Sequence, residues 1–215
     1  MSLFPSAQTA LAFPTALTEK YKPQAIADFI GLDKQKRILS KLAANPRELT
    51  LLFKGNSGTG KTSLGFAFAR QIGAEVHHIG SQECKVEILQ EHVRRCQFVP
   101  LTGGFHVLII DEADVMSDAA QKYLLSRMDG TERLPRTILI LTCNATDRLE
   151  ERFLSRCTIL PDFNTHGVGD DIKAFAERVW IAEAGETAEK PNFARMATGN
   201  VRAALQALEV ELLAA

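Results

Sequence analysis

Short apolar runs alternate with longer amphipathic stretches through most of the chain. "LTLLF" (49–53), "EVHHI" (75–79), "HVLII" (106–110) and "TILILT" (137–142) are each bounded by turn or helix signals, as expected of buried parallel strands. "TILP" (158–161) is a fifth, weaker run of the same kind. Between them, the stretches around 60–72, 85–97 and 117–128 have ordinary helix length. Strand alternating with helix predicts an α/β fold, a parallel sheet sandwiched by helices. Past Pro161 the pattern changes. "DDIKAFAERVWIAEAGE" and "NVRAALQALEVELLAA" have helical period and contain no strand candidate. In the second, Val201, Leu205, Leu208 and Leu212 recur at i, i+4, i+7 and i+11, one apolar stripe for packing. A boundary is expected near 161–165, with a small all-helical unit behind it.

Composition narrows the class. A chain of 215 residues can bury a proper core, and 46% hydrophobic with 24% charged residues is the balance of a soluble globular protein. The net charge of −1 argues against a protein that coats nucleic acid over its whole surface. Any such contact has to come from a local patch, or from several copies converging on one strand. Cys84, Cys96, Cys143 and Cys157 show no CxxC and no companion His at metal-ligand spacing. They read as reduced thiols of a cytoplasmic protein, without zinc module or disulfide framework. The start, "MSLFPSAQTALAFPTAL", lacks a basic n-region and is broken by Pro5 and Pro14, so it reads as a loose arm rather than a signal peptide. No apolar run approaches the roughly 20 residues that cross a bilayer, so no membrane partner is expected.

The candidate chemistry begins at Gly55. "GNSGTGKTS" lies between the first strand and a helix and fits G-x-x-x-x-G-K-[ST] through Gly55, Gly60, Lys61 and Thr62, with Gly58, Thr59 and Ser63 in the same loop. Glycines let successive backbone N–H groups turn inward around phosphate oxygens, and the following helix N-terminus adds its positive dipole end. Lys61 would neutralise the β- and γ-phosphates, and Thr62 would offer a hydroxyl to Mg²⁺. A chance match in a glycine-rich turn is the alternative, and the strand–loop–helix context weighs against it. "HVLIIDEAD" then places Asp111 and Glu112 at the carboxyl end of a buried strand, where ligands sit in open α/β sheets. Asp111 suits Mg²⁺, and Glu112 suits proton abstraction from an attacking water. The blander reading is a solvated acidic turn. In "ILILTCNATD", Asn144 follows another strand. Alone it would be a turn residue; in this company it can orient the water.

With these pieces in line, the chain resembles an AAA+ P-loop ATPase, and within that group a sliding-clamp loader subunit of the replication factor C small-subunit or phage type. The resemblance runs from about 20 to 210. "EKYKPQAIADFIG" (19–31) is similar to the family's adenine-cradling box, with Tyr21, Pro23 and Ile30 as its contact region. "GNSGTGKTS" and "IIDEAD" stand for its two Walker motifs, and "DAAQKYLLSRMDG" (118–130) for the helix after the second. "LTCNATDRLEERFLSRC" resembles its sensor-1 strand and Ser-Arg-Cys signature, and "GNVRAALQALE" (199–209) its sensor-2 helix.

The resemblance implies ATP and Mg²⁺, other AAA+ subunits in a ring or spiral, DNA, and a sliding clamp. It divides the chain into an arm (1–18), an ATPase domain (19–162) and a helical lid (163–215). Lys61, Thr62 and Asp111 would hold MgATP, Glu112 activate water, Asn144 position it, and Arg202 sense the γ-phosphate. Arg156 would be an arginine finger supplied in trans. Its alternative is a surface pair with Glu150 or Glu151, of the kind that stabilises little. "GSQECKVEIL" (80–89) looks like a phage-loader segment that turns Lys85 to the DNA backbone. Arg94 and Arg95 could extend that contact, or all three could be a solvated helix face. "QFVPLTGGF" (97–105) is either the clamp-docking tip or a packed loop. The family's collar after the lid and the zinc-binding insertion of cellular bacterial loaders have no counterpart here. Oligomerisation without a collar, or a shortened chain, is therefore expected. Another DNA-associated AAA+ role (branch migration, replication restart, transposition helper) uses the same machinery, and a scaffold with little turnover is disfavoured by Lys61 and Glu112.

Overall fold

The strands β1 (Leu49–Lys54), β2 (Glu75–Ile79), β3 (His106–Ile110), β4 (Thr137–Cys143) and β5 (Thr158–Leu160) form a parallel sheet in the order β2-β3-β4-β1-β5. The computed structural model describes residues 15–80, 84–129, 132–160, 163, 168–187, 189–196 and 200–214. Every residue of β3 and β4 is buried. Strands covered on both faces need no polar alternation, which is why they read as unbroken apolar runs. Successive side chains point to opposite faces. Leu108, Ile110, Leu139 and Leu141 pack toward α4 (Val86–Arg95) and α5 (Asp118–Met128). Val107, Ile109, Ile138 and Ile140 pack toward α2 (Asp33–Ala44) and α3 (Lys61–Gln71). Helix α2 was not foreseen. Its sequence, DKQKRILSKLAA, buries only Gln35, Leu39 and Leu42, too narrow an apolar face to stand out.

A third apolar cluster lies in the helical unit. The helices α7 (Gly169–Ala184) and α8 (Val201–Ala214) enclose Ile172, Val179, Trp180, Leu205 and Leu208, and Trp180 meets Phe193 edge-on at 6.5 Å. The short α1 (Leu17–Lys20) docks here as well. Leu17 is buried in this cluster, and its N–H donates to Glu209 Oε1 at 3.2 Å. The expected arm boundary at 18/19 therefore cuts a packed helix, because Leu17 has an apolar site to fill; residues 1–14 of that arm lie outside the described residues. Of the expected boundary region 161–165, only Phe163 is described. It belongs with the sheet, stacking on Phe53 at 4.9 Å and donating its N–H to the Lys54 carbonyl. The short α6 (Glu151–Leu154) precedes β5. Among the described residues, no helix is long and apolar enough to cross a membrane.

All four thiols are free. Burial pushes Cys84 and Cys143 up to about 11 and Cys96 and Cys157 up to about 12, from an ordinary 9. The folded chain keeps these thiols protonated where the unfolded chain would ionise. Their stabilisation is complete below pH 9 and is lost as pH rises through 11–12. The urea midpoint is expected to fall between about pH 8 and about pH 10, each fully buried thiol contributing about 1.4 kcal/mol of the loss. A midpoint constant over that range would contradict this.

Candidate active site

The carboxyl ends of β1, β3 and β4 lie side by side, and the loops that leave them build the site. Leaving β1, the chain turns through Gly58 (φ +77°) and Gly60 (φ +88°), left-handed conformations that suit glycine, and enters α3 at Lys61. Gly55 is required for a different reason. A Cβ there would lie 2.6 Å from the Phe163 Cβ and 2.8 Å from its carbonyl oxygen. The obstruction includes backbone, so Gly55→Ala is expected to lose about 1–3 kcal/mol, read as a lower urea midpoint. An unchanged midpoint would show that this approach is slack.

Lys61 is buried, and its Nζ donates to Gly55 O at 2.6 Å, Asn56 O at 2.8 Å and Asn144 Oδ1 at 3.1 Å. Burial lowers its pKa, partly offset by Cys143 and by Asp114, Asp111 and Glu112. Among the described residues Lys61 forms no ion pair. Three neutral oxygens aim the ammonium and leave its charge for an anion. One residue on, Thr62 Oγ1 donates to Asp111 Oδ1 at 2.7 Å. A hydroxyl and a carboxylate in contact are the hard oxygen donors that Mg²⁺ takes. Thr142 Oγ1 donates to the same carboxylate oxygen at 3.2 Å, and His78 Nε2 lies 2.8 Å from Asp111 Oδ2. His78 was missed. Its only signal is its place near the end of β2, beside β3.

Glu112 is exposed and adopts φ +51°, a left-handed conformation uncommon outside glycine. Its N–H donates to Thr142 Oγ1 at 3.1 Å, and the Asn144 N–H donates to Asp114 Oδ2 at 3.3 Å. These bonds tie the ends of β3 and β4 together. Lys61, Thr62, Asp111, Glu112, Asn144 and Arg202 all line one polar cavity of about 270 Å³.

A larger cavity of about 440 Å³ adjoins it, sharing Gly58, Gly60, Ser63 and Arg202 as walls. Tyr21, Pro23 and Ile30 line it, together with Thr59, Phe175 and Leu205. Thr59 Oγ1 donates to Asn56 O at 2.8 Å, bracing the loop. Tyr21 meets Phe175 edge-on at 6.2 Å and donates its hydroxyl to Glu183, which also pairs with Lys20 at 2.8 Å. Burial, then the bond to Glu183 and its charge, push the Tyr21 hydroxyl up to about 12. A polar lobe opening onto an aromatic and aliphatic one matches the two ends of a nucleotide.

Arg202 stands exposed on the first turn of α8. Just before it, Asn200 Oδ1 accepts from the Ala203 N–H at 3.1 Å, and its Nδ2 donates to Ser57 O at 3.3 Å. Asn200 thus caps α8 and fastens it to the glycine loop that follows β1. It too was missed, although Asn directly before a helical run is a cap signal. Gly199 of the same segment lies outside the described residues.

Arg156 lies elsewhere. It sits two residues before Thr158, which pairs with Leu51 near the start of β1, whereas the glycine loop leaves the other end of β1. Its Nε bonds the Asp129 carboxylate and its guanidinium donates to Arg152 O at 2.7 Å. Glu150 pairs with Arg152 instead. Arg156 lines neither cavity of the site. Lys85 is exposed at the N-cap of α4, and Arg94 and Arg95 stand at its far end. At 1.5 Å per residue they are about 14 Å apart along the axis, and Arg95 pairs with Glu91. The three do not form one patch, a correction to their grouping. Residues 81–83 of the Lys85 segment lie outside the described residues. In the segment 97–105, Phe98, Val99 and Leu101 are 69%, 73% and 90% exposed, so it is not a packed loop.

Residues 51–164, more than half of the chain, match the model of the ATPase family associated with various cellular activities (AAA). The chain belongs to that family. Among curated AAA relatives, human replication factor C subunit 4 is 30% identical over 169 residues, 71% of this chain and 46% of the human protein. The replication factor C small subunit of Methanoregula boonei is 26% identical over 205 residues, 91% of this chain and 62% of that protein. The chain thus spans about half to three fifths of the length of these relatives. Among solved structures, the Thermotoga maritima RuvB Holliday junction branch migration motor superposes with a TM-score of 0.71 at 19% identity, covering 88% of this chain and 64% of that one. At that identity the likeness concerns the fold. It agrees with the sheet sandwiched by helices and the helices after it.

Proposed function

We propose that this AAA family member is an ATP-hydrolysing motor subunit acting on DNA as part of a sliding-clamp loader. The observation that carries the ATPase half is the convergence of Lys61, Thr62, Asp111, Glu112 and Asn144 on one cavity that opens onto an apolar lobe. The loader half rests on the replication factor C relatives, whose similarity extends over up to 91% of the chain. In this reading, the sheet with its flanking helices carries the site, and α7 and α8 close over it as a lid.

Phosphoryl transfer to water is mostly positioning and charge stabilisation. The glycine loop and the start of α3 bind the phosphates, with Lys61 neutralising their charge. Thr62 and Asp111 would hold Mg²⁺, which supplies further neutralisation of phosphate charge when bound. Tyr21, Pro23 and Ile30 bind the base. Glu112 accepts the proton of the attacking water and Asn144 orients that water. Arg202 reports on the γ-phosphate from the lid, and Arg156 of a neighbouring subunit completes the charge stabilisation.

The test is ATPase activity with and without primer-template DNA and a sliding clamp. Stimulation by both together supports the loader. Stimulation by DNA alone, indifferent to the clamp, would replace it with a different DNA-associated motor. Stimulation by DNA is expected to fall steeply with salt, as phosphate contacts do, and Lys85→Glu is expected to abolish it. Unaltered stimulation in Lys85→Glu would remove Lys85 from the DNA path.

A further inference from the structure

Folding collects a group of metal-ligating side chains that sequence spacing hid. His77 of β2, Cys96 directly after α4, and His106 of β3 lie together, their ligand atoms all within 4.8 Å of one another. They are 6%, 0% and 1% exposed. His77 Nε2 and His106 Nδ1 are 3.0 Å apart. Two nitrogens on a tetrahedral zinc, each at 2.0–2.1 Å from it, stand about 3.3 Å apart, so the imidazoles need to separate only slightly.

Two further features point the same way. Glu75 pairs with His106 across the β2–β3 ladder and brings its carboxylate over the pair, 3.8 Å from His77 Nε2 and 4.0 Å from His106 Nδ1. His106 Nε2 lies 3.0 Å from the Phe98 carbonyl. A carbonyl only accepts, so that nitrogen carries the proton and Nδ1 turns a lone pair into the cluster. Such an outer bond orients metal-binding histidines generally.

We infer that His77, Cys96 and His106, with Glu75 as fourth ligand, form a zinc-binding site. A set of two imidazoles, one thiolate and one carboxylate suits Zn²⁺ and not Mg²⁺, which takes oxygen donors. On binding, the Cys96 thiol gives its proton to solvent, and His77, whose Nε2–H donates to His106 Nδ1 in the metal-free site, loses that proton to solvent and takes one at Nδ1, so that the Nε2 lone pair faces the metal. The site bears on its surroundings through the segment 97–105. Phe98 O holds His106, and the Leu101 N–H donates to Glu75 Oε2 at 2.7 Å. The exposed Phe98, Val99 and Leu101 are therefore anchored on the ligands themselves, and zinc fixes the base of that apolar tip.

The test is titration of the chelator-treated full chain with Co²⁺ in excess Mg²⁺, which occupies the oxygen-ligand site at Asp111. One equivalent is expected to bind with thiolate-to-cobalt charge-transfer absorption, displaced by Zn²⁺, absent in Cys96→Ser and retained in Cys157→Ser. No thiolate absorption, or absorption that survives in Cys96→Ser, overturns the site. Should Cys96→Ser fail to fold, X-ray absorption of the zinc-loaded unmodified chain decides. One sulfur at about 2.3 Å with nitrogen and oxygen neighbours supports the assignment, and a shell without sulfur or with several sulfurs overturns it.

Discussion

Glu112→Gln is expected to slow steady-state ATP hydrolysis by about 10²–10⁴-fold, the usual contribution of a general base, while ATP affinity stays close to that of the unmodified chain. The geometry separates the two effects. Glu112 is exposed on the wall of the polar cavity, whereas Lys61 and Thr62 stand at the start of α3 and Thr62 bonds Asp111. The amide keeps the size of the carboxylate but cannot take a proton from water. Its backbone N–H, bonded to Thr142 Oγ1, is untouched, so the junction between β3 and β4 is preserved. Nucleotide binding followed by fluorescence and turnover followed by phosphate release check the two halves separately. Turnover within threefold of the unmodified chain would remove Glu112 from the role of base; a parallel loss of binding would reassign it to the ligand site.

Arg156→Ala is expected to lower turnover of the assembled protein by about 10³–10⁵-fold, the scale of an arginine finger, with ATP binding by the isolated subunit unaltered. The second half follows from placement, since Arg156 lines neither cavity and lies toward the start of β1. Within its own chain the guanidinium holds Asp129 and the Arg152 carbonyl. Reaching a neighbour's nucleotide requires exchanging that surface pair, which is the weak kind of ion pair and a small obstacle. Full turnover in assembled Arg156→Ala would leave the Asp129 pair as its whole role.

How much was readable in advance depended on whether a feature was local. The fully buried runs of β3 and β4, the strand–loop–helix unit around Gly55, and the acidic end of β3 carry their meaning in consecutive residues, and the structure places them accordingly. Helix α2 escaped because its buried face is only Gln35, Leu39 and Leu42 in a charged sequence. His78 on Asp111, Asn200 on the phosphate loop and Asp129 on Arg156 are contacts between distant segments, fixed by strand order and helix docking, for which a single sequence carries no local signal. The cluster of His77, Cys96 and His106 is of the same kind, since no metal-ligand motif joins those positions.

On the proposed reading, each site is finished by a neighbouring subunit. The direct measurement is ATP turnover per subunit across the concentration range in which mass, followed in a non-hydrolysable ATP analogue, passes from one subunit to the assembly. Turnover per subunit should rise steeply with the assembled fraction, from a low value for the isolated chain. A monomer that hydrolyses ATP at the rate of the assembly would contradict it.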